Sequence, residues 1–260
     1  MGLDPEQLAA AIDRSDRRLV RDLLRRTTEA DADRVAAVLA DRDPPWLAEF
    51  VDRWLSGRRG AGPKSWLVAR ALVRLGVIAR PQVPQYTTTM LTTLAGRPLA
   101  FLIADPGLLN EEVWRLFTVP SAVRPVNGML SSGWAEAIVA MAGHGRLDRG
   151  RLLDACLDAF TRDSASDRMG WYVAFHDQLK PSASELAARA QRYLRLLSVP
   201  SADGMLLGQR VCGMLLGSGL LPAAEFLGAS GPALVHPLNA VALGQLRLLG
   251  SLAGDEPASS

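Results

Sequence analysis

A short stretch in the second half of the chain combines side chains that could do chemistry. Trp171, Tyr172, His176 and Asp177 fall within seven residues of one another. An indole beside an acid and basic groups could bind a flipped nucleobase or the end of a peptide. The same residues also suit a structural role, in which Trp171 and Tyr172 pack between helices and His176 caps a helix C-terminus. We favour the structural role and keep Trp171, His176 and Asp177 as candidate binding residues.

Arginine supplies almost all of the basic charge, because the only lysines are Lys64 and Lys180. Arginines on the concave surface of a helical protein can follow the phosphates of a nucleic acid. The candidates are the helix around residues 14–26, the group Arg53, Arg58 and Arg59 with Lys64, and the ridge Arg189, Arg192 and Arg195. Acidic residues interleave the first group and begin the last, which favours solvated surface over a phosphate-binding face. Arg189 and Arg192 are kept as candidate binding residues.

The sequence contains none of the motifs that mark a catalytic or metal site. Neither His144 nor His236 has a His, Cys or carboxylate at ligand spacing, and His176 has only the adjacent Asp177. Ser132 stands in the sequence SSGW, which is not a nucleophile elbow. The glycines and lysine of residues 57–64 are in the wrong order for a P-loop. We therefore expect no catalytic residue, no metal and no cofactor.

The stretch Leu147–Leu197 positions the candidate residues on three predicted helices. Asp148 can cap the first, whose apolar residues recur three and four apart. Ser164 or Ser166 can start the second, which carries the aromatic residues and ends before a proline. Ser182 begins the third and has a glutamate three residues later, which is a capping box. Helices this short must bury their apolar stripes against one another.

The rest of the chain also favours helices. It has 260 residues, is 48% hydrophobic and carries a net charge of +2, which is enough apolar sequence for a substantial core. Even the threonine-rich segment 84–94 is predicted to be helical, because its flanks are. Cys156 and Cys212 lie in apolar helical patterns and are interpreted as reduced core residues. The sequence contains no secretion signal and no apolar run long enough for a membrane span, so we expect a cytoplasmic protein with no membrane contact.

Helical pairs recur from about residue 132 to the C-terminus. Their first helices begin near Ser132, Ser166, Asp203 and His236, at intervals of 34, 37 and 33 residues. Periods of this length predict an all-α fold, a right-handed α-α superhelix of the HEAT or armadillo type, although a plain helical bundle remains open. We expect one solenoid domain over residues 1–253, with an internal boundary near 119–132, and a disordered tail over 254–260.

Several segments resemble an actinobacterial family of uncharacterised helical proteins, a domain of unknown function. The segments that carry the resemblance are Trp66–Gly76, Ala104–Phe117, Leu147–Leu157, Trp171 with His176–Pro181, Glu185, Arg189, Tyr193–Leu197 and His236–Leu249. The resemblance covers about residues 30–253 and implies a HEAT-like solenoid. It adds no catalytic residues.

Two functions remain for a helical module without catalytic motifs. The first is a non-enzymatic scaffold that binds another protein, because solenoids expose long rigid surfaces. The alternative is a nucleic-acid-binding or base-processing protein with an arginine-lined concave face. Arg189, Arg192 and the N-terminal arginines would then converge on one surface with an aromatic residue and a carboxylate. A hydrolase or transferase with an unrecognised motif is a third, less favoured hypothesis.

Overall fold

Helices make up all the regular structure in the described part of the chain, which confirms the all-α prediction. The computed structural model describes residues 4–57, 62–119, 133–162 and 169–254. The chain folds into two compact units, Met1–Ala122 and Val123–Ser260. The divide falls in the segment 119–132, of which residues 120–132 lie outside the described residues. Whether the chain forms a single solenoid domain stays a prediction.

The described residues of the first unit form eight α-helices. They are α1 (Pro5–Asp13), α2 (Arg17–Leu24), α3 (Ala32–Arg42), α4 (Leu47–Ser56), α5 (Pro63–Arg74), α6 (Pro84–Thr93), α7 (Pro98–Ala104) and α8 (Val113–Thr118). A 3-10 turn, Glu29–Asp31, precedes α3, and a π-helical turn, Leu108–Glu112, leads directly into α8. Helix α5 packs against α3, α4 and α6, so it is the centre of this unit.

Local sequence explains where the first helices begin. The Asp4 carboxylate accepts a hydrogen bond from the Glu6 amide at 3.0 Å, and Pro5 occupies the first turn of α1, where no amide donor is required. The Asp16 carboxylate accepts from the Leu19 amide at 3.0 Å in the same way and caps α2. In the threonine-rich α6, Thr88 and Thr93 donate their hydroxyl protons to carbonyl groups one turn earlier. Back-bonding of this kind satisfies the hydroxyls within the helix.

The described residues of the second unit form nine further α-helices. They are α9 (Trp134–Gly143), α10 (Arg149–Arg162), α11 (Met169–Leu179), α12 (Ala183–Ala187), α13 (Ala190–Leu196), α14 (Ala202–Gly217), α15 (Ala223–Ala229), α16 (Gly231–Leu234) and α17 (Asn239–Gly254). Helix α9 packs on α11, α11 on α14 and α14 on α17, while α10 packs on α13 and α13 on α15. This packing does not show a superhelical solenoid, so the HEAT-like arrangement stays a prediction.

The predicted caps of the second unit form, and one predicted helix is interrupted. Asp148 accepts from the Arg151 amide at 2.7 Å and begins α10. Ser182 and Glu185 form the reciprocal capping box, with hydrogen bonds of 3.2 and 2.8 Å. The sequence predicts that this helix continues to residue 197, but it stops at α12 and resumes at α13. At the break the Arg189 backbone lies outside the helical region (φ −118°, ψ 15°), and its guanidinium donates to the Gly150 carbonyl of α10.

Two sequence predictions lie partly outside the described residues. The start of α11 at Ser164 or Ser166 falls in residues 163–168, which the structure does not describe. The predicted tail 254–260 is described only at Gly254, the last residue of α17. Cys156 and Cys212 are both buried free thiols, as predicted. Burial raises the pKa of the Cys212 thiol to about 12 and raises that of Cys156 as well, so neither is an activated nucleophile.

Candidate functional site

The predicted aromatic site on α11 forms part of the core of the second unit. The Trp171 side chain is 5% exposed. Its ring stacks on Phe175 with centroids 5.3 Å apart and planes 8° from parallel, and it meets Tyr172 edge to face at 5.3 Å. Ring contacts of this geometry stabilise helix packing beyond simple burial of area. Trp171 is therefore buried against other aromatic side chains of its own helix and offers no open stacking surface for a base.

His176 is buried in a neutral polar pair. Its side chain is 4% exposed, and its Nε2 atom lies 2.8 Å from the Tyr193 hydroxyl. Burial lowers the pKa of His176, although Asp177, whose carboxylate lies 3.6 Å from Nδ1, opposes the shift. Burial also raises the pKa of Tyr193. The pair joins α11 to α13 with both groups uncharged near neutral pH, and it is not a C-terminal cap with a charged imidazole.

Asp177 faces the solvent side of α11 and forms an ion pair with Arg210 of α14. The side chains of both residues are nearly half exposed, and the Asp177 Oδ2 atom accepts from Arg210 at 3.2 Å. Its other carboxylate oxygen bonds a second nitrogen of the same guanidinium. This bidentate contact links two helices that also pack together. The carboxylate is thus engaged within the unit.

Arg189 and Arg192, the other two predicted binding residues, are paired with carboxylates of α10. Arg189 Nε lies 2.8 Å from Asp154, and its Nη2 donates to the Gly150 carbonyl at 3.0 Å. Arg192 Nη1 lies 2.6 Å from Asp158. The structure therefore brings these two arginines together, but it places them against acids that neutralise them. These contacts of Arg189 and Arg192 link α13 to α10.

A third ion pair extends this row toward the start of α10. Arg149 Nε lies 2.7 Å from Glu185, and Arg149 Nη2 also donates to the Leu179 carbonyl at 2.6 Å. The hydrogen bonds from Arg149 and from the capping-box serine hold the pKa of Glu185 at about 2. We call the three pairs the ion-pair row: Arg149 with Glu185, Arg189 with Asp154, and Arg192 with Asp158.

The first unit contains a buried charge cluster that sequence reasoning missed. Glu112, the last residue of the π-helical turn, is fully buried. Its Oε1 atom lies 3.2 Å from Arg80 Nε and 3.6 Å from Arg70 Nη1, without hydrogen-bond geometry to either. Arg70 makes a bidentate contact with Asp105, with Nε at 2.8 Å from one oxygen. We call Arg70, Arg80, Arg115, Asp105 and Glu112 the buried charge cluster.

Within the buried charge cluster, the pKa values of the two acids shift in opposite directions. Burial raises the pKa of Glu112, and the charges of Arg80, Arg70 and Arg115 oppose that rise only in part. Burial also disfavours ionisation of Asp105, but the hydrogen bonds and charge of Arg70 outweigh it and hold the pKa of Asp105 below its usual value. Asp105 therefore neutralises Arg70, whereas Glu112 is a strained carboxylate within the core.

A sequence signal for this cluster does exist. Arg70 stands four residues after Trp66 on the apolar stripe of α5, and Glu112 stands three residues after Leu109, in phase with Val113 and Leu116. A charged residue in an apolar phase predicts a buried charge, which requires a partner. The partner of each charge lies some 30 or more residues away, so the sequence alone does not identify it.

The C-terminal helix α17 exposes an apolar face. Only two of residues 239–253 are buried, Val241 and Gln245. Leu243 and Leu246 lie on the opposite side and are 50% and 54% exposed. Nearby elements add Leu234, Val235 and Leu238, which are 36%, 82% and 46% exposed. We call these five exposed residues the α17 face.

The described residues contain neither a metal-binding cluster nor a membrane-spanning helix. No group of three or more His, Cys, Asp and Glu side chains among them is placed to hold a metal ion. No helix among them is both long enough and apolar enough to cross a bilayer.

Comparison with known proteins assigns the chain to a family. A family profile described as "Domain of unknown function (DUF6493)" matches residues 8–234, which is most of the chain. Comparison with curated proteins and with solved structures finds no match. The matched range takes in the buried charge cluster and the ion-pair row and ends at Leu234, before α17 begins. The chain belongs to the DUF6493 family, a domain of unknown function.

Proposed function

We propose that the chain is a non-enzymatic module that binds another protein through the α17 face. The observation that carries this proposal is the mismatch between the composition of α17 and its surroundings. The helix has the sequence NAVALGQLRLLGSLAG, with Arg247 as its single charge. A helix that is apolar on nearly all sides is normally buried on nearly all sides. Here Val241 and Gln245 are the only fully buried residues among 239–253, and Leu243 and Leu246 on the opposite side are about half exposed.

The chemistry of this surface points to an apolar, charge-poor protein surface as the occupant. Within residues 211–254 the only charged residues are Glu225 and Arg247. Depletion of charge at the centre of a contact is typical of protein–protein interfaces. Leu243 and Leu246 lie three residues apart on one helix face, a spacing that fits an amphipathic helix of the partner. Completing the burial of each half-exposed leucine would stabilise a complex by about 1 kcal/mol.

The neighbour order of the second unit supports a HEAT-like solenoid as the scaffold for this interaction. Each first helix of a predicted pair packs on the first helix of the next, from α9 through α11 and α14 to α17. In a solenoid each repeat presents a surface on which a neighbouring repeat or a partner stacks. The α17 face is the surface that such stacking would use. A partner helix would therefore continue the packing pattern of this unit.

The proposal is tested with a variant that changes this surface alone. Leu243→Glu with Leu246→Glu places two charges on exposed positions and should leave the circular dichroism spectrum unchanged. Proteins retained from a lysate by the wild-type chain, but not by the double variant, would then be purified and titrated calorimetrically. We expect the purified pair to bind with a negative heat-capacity change and to lose at least about tenfold in affinity in the variant.

Arg247→Glu is the matched control, because it alters charge on the same exposed part of α17. We expect it to affect binding less than the leucine substitutions. Equal capture and equal affinity for wild type and double variant would contradict the proposal. Light scattering identifies a second copy of the chain as the partner if the wild type is dimeric and the double variant is monomeric.

Nucleic-acid binding is kept as a second proposal for the first unit only. The ion-pair row neutralises Arg189 and Arg192 within the second unit, so they contribute little net charge to a phosphate-binding face. Arg58 and Arg59 lie outside the described residues. The arginines of α2 and α4 remain as candidate phosphate-binding residues. Their arrangement favours a ligand that is more specific than nucleic acid in general.

A further inference from the structure

A small pocket in the first unit is lined mainly by arginines from two helices. Arg17, Arg21 and Arg25 follow one another at four-residue intervals along α2 and its C-cap, and Arg53 comes from α4. The pocket has a volume of about 250 Å³, and the side chains of Phe50 and Trp54 form its apolar wall. None of these residues belongs to the α17 face, so a ligand of this pocket would be independent of the proposed protein partner.

The pocket carries a net positive charge. Glu49 pairs with Arg53 and lies 3.9 Å from Arg17, and Asp22 lies 3.3 Å from Arg25. Two carboxylates therefore stand against four guanidinium groups, and about two positive charges remain. Arg21 has no acidic partner within ion-pair distance among the described residues, so its donors are available to a ligand. A phosphomonoester carries about −1.5 to −2 charges at neutral pH, which matches this excess.

The surrounding contacts order one guanidinium group and the apolar wall. The Arg17 guanidinium lies over the Trp46 ring, 5.3 Å from its centroid. Trp46, Phe50 and Trp54 pack in sequence, with centroids 5.5 and 6.1 Å apart, so the apolar wall is rigid. The Lys64 ammonium donates to the Arg25 carbonyl at 2.9 Å and adds a positive charge at the end of α2. Guanidinium groups that are already ordered lose less entropy when they bind an anion.

The size and lining of the pocket limit the ligand to a phosphate and the group attached to it. Its volume is below the range of about 300–1,000 Å³ that holds drug-sized ligands. Planar guanidinium forks recognise phosphate oxygens in pairs. The aromatic wall beside them provides an apolar surface for a ring next to the phosphate. We propose that the pocket between α2 and α4 binds the phosphomonoester group of a nucleotide, either free or at the 5′ end of a nucleic-acid strand.

Titration calorimetry of the full chain at low ionic strength tests this site with defined probes. We expect adenosine 5′-monophosphate to bind and adenosine to show no binding. Arg21→Glu should weaken binding of the monophosphate by at least about tenfold, because it removes charge-assisted hydrogen bonds and adds repulsion. Arg18→Glu is the matched control, since it makes the same change of charge on the same helix at an exposed position outside the pocket. We expect it to cost clearly less than Arg21→Glu, because Arg18 does not line the pocket and its replacement removes no hydrogen-bond donor from the ligand.

Oligonucleotides with and without a 5′-phosphate identify the source of the phosphate. Tighter binding of the phosphorylated strand than of both the unphosphorylated strand and the mononucleotide would indicate a nucleic-acid end, and tightest binding of the mononucleotide would indicate a free nucleotide. Equal binding of both strands with none of the mononucleotide would overturn the proposal, because it would show a general polyanion surface. Equal losses in Arg21→Glu and Arg18→Glu would overturn it for the same reason. Circular dichroism and thermal melting confirm that both variants are folded.

Discussion

The two units of this protein differ in whether they bury charged side chains. Among the described residues, the charged side chains that are buried, Arg70, Glu112 and Arg115, all belong to the first unit. Both units bury neutral polar groups: the second unit buries His176, Ser201, Gln209, Ser230 and Gln245, and the first buries Thr27, Ser65, Thr87 and Thr89 beside its charges. The charged pairs of the second unit, including the ion-pair row, remain partly exposed at helix edges. Similar helices can therefore be packed with either kind of polar link.

This difference predicts how much stability each polar contact loses when its partner is removed. A charge inside the first unit has lost its hydration, so it depends on the opposite charge beside it. A charge in the ion-pair row keeps part of its hydration. Water and salt therefore reduce the free-energy cost of removing its partner. The free-energy cost of breaking a neutral buried pair lies between these limits, because a buried unpaired amide or hydroxyl costs less than a buried unpaired ion. Substitutions in each kind of contact should therefore differ in cost, from the buried charges down to the exposed pairs.

Removing Arg70 should have the largest effect. Arg70→Ala leaves Glu112 fully buried and takes the bidentate partner from Asp105. We expect the free energy of unfolding to fall by about 3–5 kcal/mol, as for other broken buried ion pairs. Chemical denaturation followed by circular dichroism measures the loss. The loss should shrink in acid, because protonation of Glu112 and Asp105 removes the uncompensated charge. A loss below about 1 kcal/mol at neutral pH would show that the cluster behaves like a surface pair.

Breaking the hydrogen-bond network of Gln245 with Ser230 and Gln209 should have an intermediate effect on the free energy of unfolding. The Gln245 side-chain amide donates to Ser230 Oγ at 2.7 Å, and its oxygen accepts from Gln209 at 3.0 Å. Gln245→Ala should reduce the free energy of unfolding by about 2 kcal/mol, because it leaves buried polar groups short of partners and opens a cavity. Ser251→Ala, an exposed change on the same helix, is the control. Hydrogen exchange should speed up at α17 in the first variant only.

Removing Arg189 should cost less than removing Arg70, although both arginines make bidentate contacts. Arg189→Ala leaves Asp154 with Arg192, whose Nε atom lies 3.6 Å away, and the Asp154 side chain is 38% exposed and can be hydrated. We expect a loss of about 1 kcal/mol, which decreases as salt is added. Denaturation curves at low and high ionic strength measure both quantities. A loss as large as that of Arg70→Ala would remove the distinction between the two units.

The acid response of the ion-pair row should be small but specific. The pKa of Glu185 is lowered from 4.5 to about 2, so its ionised form stabilises the native state above pH 4.5. That stability is lost as the pH falls from 4.5 toward 2, when the carboxylate is protonated in both states. The gap in unfolding free energy between wild type and Glu185→Gln should therefore close over this interval. Glu136→Gln is the control, because Glu136 is exposed and has no ion pair among the described residues. A gap that stays constant with pH would contradict this assignment.

The sequence by itself determined the helical elements and their caps. Asp148 and Ser182 begin helices as their spacing predicts, because capping is a contact between residues two or three positions apart. The structural interpretation of Trp171 also follows from apolar spacing that is visible in the sequence. Such local interactions need no knowledge of the fold. They explain why the all-α class was predictable while the arrangement of the helices was not.

Tertiary structure alone decided which polar residues became partners. The pairing of Arg189 with Asp154 and that of His176 with Tyr193 both depend on residues brought from other helices. The Asp177 carboxylate lies 3.6 Å from His176 Nδ1, but its bidentate partner is Arg210 of α14. In the first unit, Asp105 meets Arg70 across 35 residues of sequence. Desolvation of a charge depends on all the chain that surrounds it, so sequence spacing can show that a residue is buried but not what neutralises it.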